Sequence, residues 1–182
     1  MEVVNVDRLF VITGGPGSGK STLINALAED GIRTMPEAGR AIIRDQVAIG
    51  GEALPWSDRP AFAELMLSWE MRSYHAALSL SGPVLFDRGV PDVLGYLRLS
   101  GLPVPPHVER AAQTFRYHRR VFVAPPWPEI FALDAERKQS FQEAKSTCKV
   151  MIETYSALGY SLIPLPLESV QKRMQFVLAA IE

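Results

Sequence analysis

An α/β architecture is expected for this chain: five short strands in one parallel sheet, with helices covering both faces. Two observations predict it. Short strand-like segments at residues 8–14, 32–37, 83–87, 120–124 and 161–166 alternate along the chain with helix-length segments. Strands joined through helices need crossover connections, which makes them parallel, and a parallel sheet is buried on both sides. With 182 residues, the chain has the size of one domain around one core.

The elements follow in order. Residues 8–14 (RLFVITG) form a continuous apolar run ending in glycine, the pattern of a buried strand. A helix is expected over 20–29, closed by Gly31 at its C-terminal end. Residues 32–37 are the second strand and 38–49 a helix. A longer helix spans 57–80, with Phe62, Leu65, Met66 and Trp69 on one face. PVLFD at 83–87 is the third strand. Helices at 91–99 and 106–117 flank a proline-rich turn at 101–106. RVFVA at 120–124 is the fourth strand. After the loop PPWPEIF, a long helix is expected over 134–158, with the stripe Phe141, Ala144, Cys148, Met151, Ile152 and Tyr155. The fifth strand is 161–166, and the closing helix aligns Val170, Met174, Val177 and Ile181.

Hydrophobic residues make up 47% and charged residues 21%, and the formal net charge is −1. That is ordinary for a soluble globular protein and gives no electrostatic reason to expect nucleic acid or an anionic membrane as partner. The single cysteine, Cys148, cannot form an internal disulfide, and a cytoplasmic protein is expected. No stretch approaches the roughly 18 apolar residues of a membrane span. The apolar run at 9–12 is too short for the core of a signal peptide.

The sharpest motif is Gly14-Gly15-Pro16-Gly17-Ser18-Gly19-Lys20-Ser21, which fits G-x-x-x-x-G-K-[ST] between an expected strand and an expected helix. Glycines let successive backbone N–H groups turn inward around phosphate oxygens, with no Cβ in the way. The helix that starts at Lys20 adds the positive end of its dipole. Lys20, expected to be solvated before phosphate arrives, can reach the β- and γ-phosphates. Ser21 can ligate Mg²⁺, and Thr22 follows on the same first helical turn. The expected ligand is ATP with Mg²⁺.

Asp87 ends the third strand, and ligands of open α/β sheets bind at the carboxyl ends of strands. A carboxylate there can hold Mg²⁺ through water, as a Walker-B Asp does; the competing role is a helix cap. Arg88 follows at once, and its planar fork matches phosphate oxygens; the competing role is a surface ion pair. Asp92, one turn on, is a candidate for the substrate site or a cap of the next helix.

The P-loop GGPGSGKS, the FDRG after strand three and five strands in this order resemble the P-loop kinases, which include nucleoside, deoxynucleoside and thymidylate kinases. EAGR at 37–40, DRGVPD at 87–92 and VFVAPPWPEIFALDAERKQSF at 121–141 resemble a bacterial family of single-domain ATPases or kinases related to a ribosylnicotinamide kinase domain. The resemblance covers essentially the whole chain. It implies the sheet order 2-3-1-4-5. It implies that Glu37 matches the acidic residue contacting the acceptor hydroxyl in nucleoside kinases, although Ala38 stands where those kinases usually carry proline. Arg40, one turn beyond, is a substrate candidate or a solvated side chain. Kinases of this type supply lid arginines after strand four, which points to Arg137 in a lid at about 127–140, against a solvated helix face.

Arg116, Arg119 and Arg120 precede strand four and are expected to be structural. Trp127, among prolines, either stacks on a base or packs into the core as a hinge. His75, His107 and His118 lack metal-like spacing. Trp56, Trp69, Tyr74 and Tyr96 line an acceptor pocket or pack in the core. A guanine-specificity Asn-Lys-x-Asp signature and an LSGGQ motif are absent, and Arg88 stands where a hydrolase often carries a water-activating Glu. The expected activity is therefore phosphoryl transfer from ATP to a small-molecule acceptor such as a nucleoside, nucleotide or related metabolite. The alternative is a nucleotide switch or slow ATPase acting on a protein partner.

Overall fold

All six residues of β1 (Leu9–Gly14) are buried. Successive strand side chains point to opposite faces, so Leu9 and Val11 enter one core cluster while Phe10 and Ile12 enter another. The same split recurs in β3 (Val84–Asp87), where Val84 and Phe86 face one side and Leu85 the other. Burial on both faces is what requires an unbroken apolar run rather than alternation. A computed structural model describes residues 6–131 and 139–181. The other strands are β2 (Arg33–Met35), β4 (Arg120–Ala124) and β5 (Ser161–Pro164), and all five are parallel in the order β2-β3-β1-β4-β5.

On one face, α1 (Lys20–Glu29) and α7 (Val170–Ile181) contribute Leu23, Leu27, Val177 and Ile181 to the core. The other face carries α3 (Arg59–Leu78), α4 (Val90–Leu99), α5 (Pro106–Thr114) and α6 (Phe141–Ala157), whose Leu67, Val93, Leu94, Val108 and Tyr155 meet the sheet. A third, smaller cluster joins α2 (Ala38–Ile49) to α3 through Ala38, Ile42 and Phe62, with Met66, Trp69 and Tyr96 against it. Among the described residues, no helix is long and apolar enough to cross a membrane.

Three helices differ from expectation. The helix expected over 106–117 ends at Thr114. On α3 the sheet-facing stripe is Ala63, Leu67, Glu70, Tyr74 and Ala77, whereas Leu65 is 37% exposed. The large side chains Phe62, Met66 and Trp69 serve a second face, toward α2, so two partners share the helix. The long helix does not run unbroken from 134: Gln139 and Ser140 are non-helical, and α6 begins at Phe141. Ser140 Oγ accepts from the Glu143 N–H at 3.2 Å while the Glu143 carboxylate accepts from the Ser140 N–H, a reciprocal cap that fixes the start. Thr147 and Thr154, not Ile152, complete its buried face.

Candidate active site

The P-loop follows β1 directly, and its shape depends on what surrounds it. A Cβ on Gly15 would strike the carbonyl oxygen of Ala144 in α6. Gly19, at φ +76°, is the N-cap of α1, and no side chain caps the helix there. The helix start therefore presents its backbone N–H groups and dipole to the cavity, as an anion site requires. Ser18 Oγ donates to Gly15 O at 2.8 Å.

Lys20 corrects an expectation: it is buried, 6% exposed, and its Nζ donates to Gly15 O at 2.8 Å and to Ser18 Oγ at 3.5 Å. Burial, and then the charge of Arg88, lower its pKa to about 8. Ser21 and Thr22 are exposed and line the cavity.

Asp87 pairs across the sheet with Ile12 of β1, which sets its carboxyl beside the P-loop. It does not cap α4, whose N-cap is Gly89. Its Oδ1 is buried and has no hydrogen-bond partner among the described residues. Burial pushes its pKa up to about 6, with Lys20 opposing and Glu37 assisting. An orphaned carboxyl oxygen next to the phosphate loop, with the exposed Ser21 on the cavity wall, fits a Mg²⁺ site. That ion takes one or two protein groups and completes its shell with phosphate and water.

Arg88 is the hub. Its backbone sits at φ +71°, a left-handed conformation that costs a non-glycine residue energy and marks functional sites. Its N–H donates to Ile12 O at 3.0 Å. Its side chain donates from Nη1 to Gly14 O at 2.9 Å and to Asp92 Oδ1 at 3.3 Å, and from Nε to Glu37 Oε1 at 3.3 Å. This is a partly buried network, not a surface ion pair. Burial opposes the charge, but Glu37, Asp92 and Asp87 outweigh it and hold the guanidinium firmly protonated.

Glu37 occupies the N-cap of α2 without capping it; its carboxylate is committed to Arg88, with Arg40 Nε 3.9 Å away. Burial alone would raise its pKa, but Arg88, Lys20 and Arg40 outweigh that and lower it. Arg40 is exposed on the cavity wall.

Asp92 changes role. It is 5% exposed, and both oxygens are taken: Thr13 Oγ1 donates at 2.5 Å and Arg88 at 3.3 Å to Oδ1, the Gly89 N–H at 2.9 Å and Tyr155 OH at 2.6 Å to Oδ2. A carboxylate so saturated has no lone pair free for a substrate. Although it borders the cavity, it caps α4 and orients Arg88.

Lys20, Ser21, Thr22, Glu37, Arg40, Arg88 and Asp92 line one cavity of about 1310 Å³, whereas Asp87 is not part of its lining. One end holds Glu37, Arg40, Phe62, Met66, Glu70 and Tyr96; the other holds Trp127, Ile130, Ser169 and Arg173. Two charged residues among these, Arg173 and Glu70, were not singled out from sequence. Arg173 is 2% exposed, donates from Nη1 to Ser18 O at 3.1 Å and lies 5.5 Å from the Trp127 ring centroid, while its Nε and Nη2 lack partners among the described residues. Glu70 is 4% exposed. The available signal was spacing: Arg173 falls four residues before Val177 on the core face of α7, and Glu70 sits three residues after Leu67 on that of α3. Trp56 and Tyr96 line the cavity, while Tyr74 packs in the core. Arg116, Arg119 and Arg120 bind Leu158 O, Ser161 Oγ and Ala180 O, remote from the P-loop as expected. Arg137 and Lys138 lie outside the described residues.

The family model for the AAA domain matches residues 9–173. No curated protein matches the chain. Among solved structures, deoxyadenosine kinase from M. mycoides is 12% identical over 94% of this chain and 97% of its own, with a TM-score of 0.67. Shikimate kinase from Acinetobacter baumannii is 14% identical over 98% and 94%, with a TM-score of 0.57. The NadR protein in complex with NR is 16% identical, with a TM-score of 0.69 over 96% of this chain, which spans 49% of NadR. These likenesses carry the fold, and the family match covers most of the chain: the protein belongs to the AAA domain family and has the fold of a P-loop kinase-like NTPase.

Proposed function

We propose that the protein is a phosphotransferase that moves the γ-phosphoryl group of ATP onto a hydroxyl of a small-molecule acceptor, of the nucleoside, nucleotide or related metabolite class. The observation that carries this is the two-ended cavity. Its volume of about 1310 Å³ exceeds the roughly 300–1,000 Å³ of a pocket for one drug-sized ligand, and the Glu37–Arg88 pair borders it with the phosphate loop. Water as acceptor would need no such second compartment.

The chain's own groups divide the work. The P-loop backbone and Lys20 hold the phosphates. Trp127 and Arg173 offer a platform for the base at the far end. Arg88, fixed by three acceptors and always charged, draws the equatorial oxygens of the transferring group. Glu37, held ionised by Arg88, accepts the proton of the attacking hydroxyl as its oxygen bonds to phosphorus and the bond to the ADP oxygen breaks. Asp87 and Ser21 would hold Mg²⁺, which when bound neutralises charge on the β- and γ-phosphates. Arg137 is assigned to the lid, contributing charge to the transition state.

The test is ADP release from Mg·ATP across a panel of hydroxyl-bearing metabolites, chosen by thermal shift in the presence of a non-hydrolysable ATP analogue. Turnover is expected only with an acceptor, which gains one phosphate. Equal turnover in water alone, or only with a protein present, replaces this reading with a hydrolase or switch.

A further inference from the structure

We infer that Glu70 is the specificity residue of the acceptor end, and that the acceptor carries a planar nitrogen heterocycle or carboxamide with adjacent hydrogen-bond donor and acceptor atoms. The inference rests on the phosphotransferase reading and names its substrate class. Glu70 lies midway along α3 on the buried face and borders the cavity. Glutamate is almost never buried without a partner. Here it is 4% exposed, and among the described residues no hydrogen bond or ion pair reaches it.

Asp92 provides the contrast. Close by and equally buried, it is saturated by four donors and serves the fold. Glu70 has no such engagement; its carboxyl oxygens are not sealed in the core but reach the cavity, where water or a ligand satisfies them. Burial first, then the carboxylates of Asp92 and Asp87, raise its pKa well above the usual range and so favour the protonated form, and Arg88, committed to its own acceptors, offsets this only partly.

An uncharged carboxyl offers one O–H donor and one carbonyl acceptor side by side. That pair matches the edge of an amide or amidine in two parallel hydrogen bonds. The surrounding wall is apolar, formed by Phe62, Met66, Val93 and Tyr96. Phe62 and Tyr96 meet edge-on, with ring centroids 5.5 Å apart and planes at 70°. A flat ring can stack against such a wall, whereas a bare polyol would press its hydroxyls onto it unsatisfied.

The experiment uses the full chain with Mg·ATP and four probes, adenosine, cytidine, uridine and thymidine, with ribose as the base-free control. At least one nucleoside is expected to be phosphorylated with a KM far below that of ribose. Glu70→Ala should raise that KM about tenfold or more with little change in kcat, because a site built to hydrogen-bond its substrate loses discrimination when the partner is removed. Glu70→Gln, whose amide presents the same donor and acceptor, should restore the wild-type KM. Glu70→Leu should melt no lower than wild type, since it removes an unpaired buried acid, while showing the Ala phenotype. A lowered melting point in Glu70→Leu, with KM unchanged in all three variants, makes Glu70 structural and overturns the inference. If a base-free hydroxyl is phosphorylated and no nucleoside is, the inference falls while the phosphotransferase reading stands. If nothing accepts phosphate, both fall.

Discussion

Arg88 shows how one residue can hold a site together. Its left-handed backbone is tolerated because its side chain is tied to Gly14, Glu37 and Asp92. Backbone strain and side-chain function can be separated. Arg88→Gly removes the guanidinium but suits the positive φ, whereas Arg88→Ala loses the guanidinium and keeps the strain. Strain of this kind is worth about 1–3 kcal/mol, so the Gly variant should melt higher than the Ala variant while both lose turnover alike. Equal melting points would mean the φ is not a source of strain. Glu37→Gln tests the neighbouring role. A general base contributes about 10²–10⁴-fold, so acceptor-dependent kcat should fall by that order while Mg·ATP affinity, read by calorimetry, stays near wild type. An unchanged kcat would reduce Glu37 to an anchor for Arg88.

At the level of elements, the P-loop is shaped from outside as well as by its own sequence. The N-terminal turn of α6 sits against Gly15 through Ala144 O, and the Ser140–Glu143 box sets where that turn begins. Loss of a Ser N-cap costs about 0.5–2 kcal/mol. Ser140→Ala should therefore lower the melting temperature and weaken nucleotide binding together, since the same turn braces the loop. Weakened stability with unaltered binding would uncouple α6 from the loop. The box was written in the sequence as Ser140-Phe141-Gln142-Glu143, yet the stripe from Phe141 onward drew the expected helix back to 134. β1, β3, β4 and the P-loop were legible because parallel strands buried on both faces leave unbroken apolar runs and the loop has fixed spacing, whereas the partly exposed edge strands β2 and β5 are shorter than the expected 32–37 and 161–166. Glu70 and Arg173 were not, because a charged residue on an apolar stripe has no meaning until the cavity beside it is known. Asp92 was half legible: its capping role is local, but Thr13 and Tyr155 reach it from distant parts of the chain.

Taken whole, the chain has a formal net charge of −1 but gathers its buried charges at the carboxyl edge of the sheet, where folding and ligand binding pull in opposite directions. Lys20 has its pKa lowered from 10.5 to about 8 by burial and by Arg88. Asp87 has its pKa raised from 3.8 to about 6, mainly by burial. For Lys20 the folded state binds fewer protons than the unfolded one between these two values, so its contribution to stability rises with pH across that window. For Asp87 the folded state binds more protons between its two values, so its contribution improves as pH falls through them. Between pH about 6 and 8 both groups are charged at full desolvation cost, and the ligand-free fold gains nothing from either. Binding reverses the account: phosphate favours charged Lys20, and Mg²⁺ favours ionised Asp87. Affinity for Mg·ATP should therefore be bell-shaped, flat between the two values, falling by up to about tenfold per unit above 8 as Lys20 must first take up a proton, and falling below 6 as Asp87 must first release one. The thermal shift given by Mg·ATP should be largest on the same plateau. Titration calorimetry from pH 5 to 9.5, in buffers of differing ionisation enthalpy, reads both the affinity and the proton taken up. Asp87→Asn should remove the acid limb and leave the alkaline one. An affinity that stays flat through pH 9.5 with no proton uptake would show that Lys20 does not change its charge when phosphate binds.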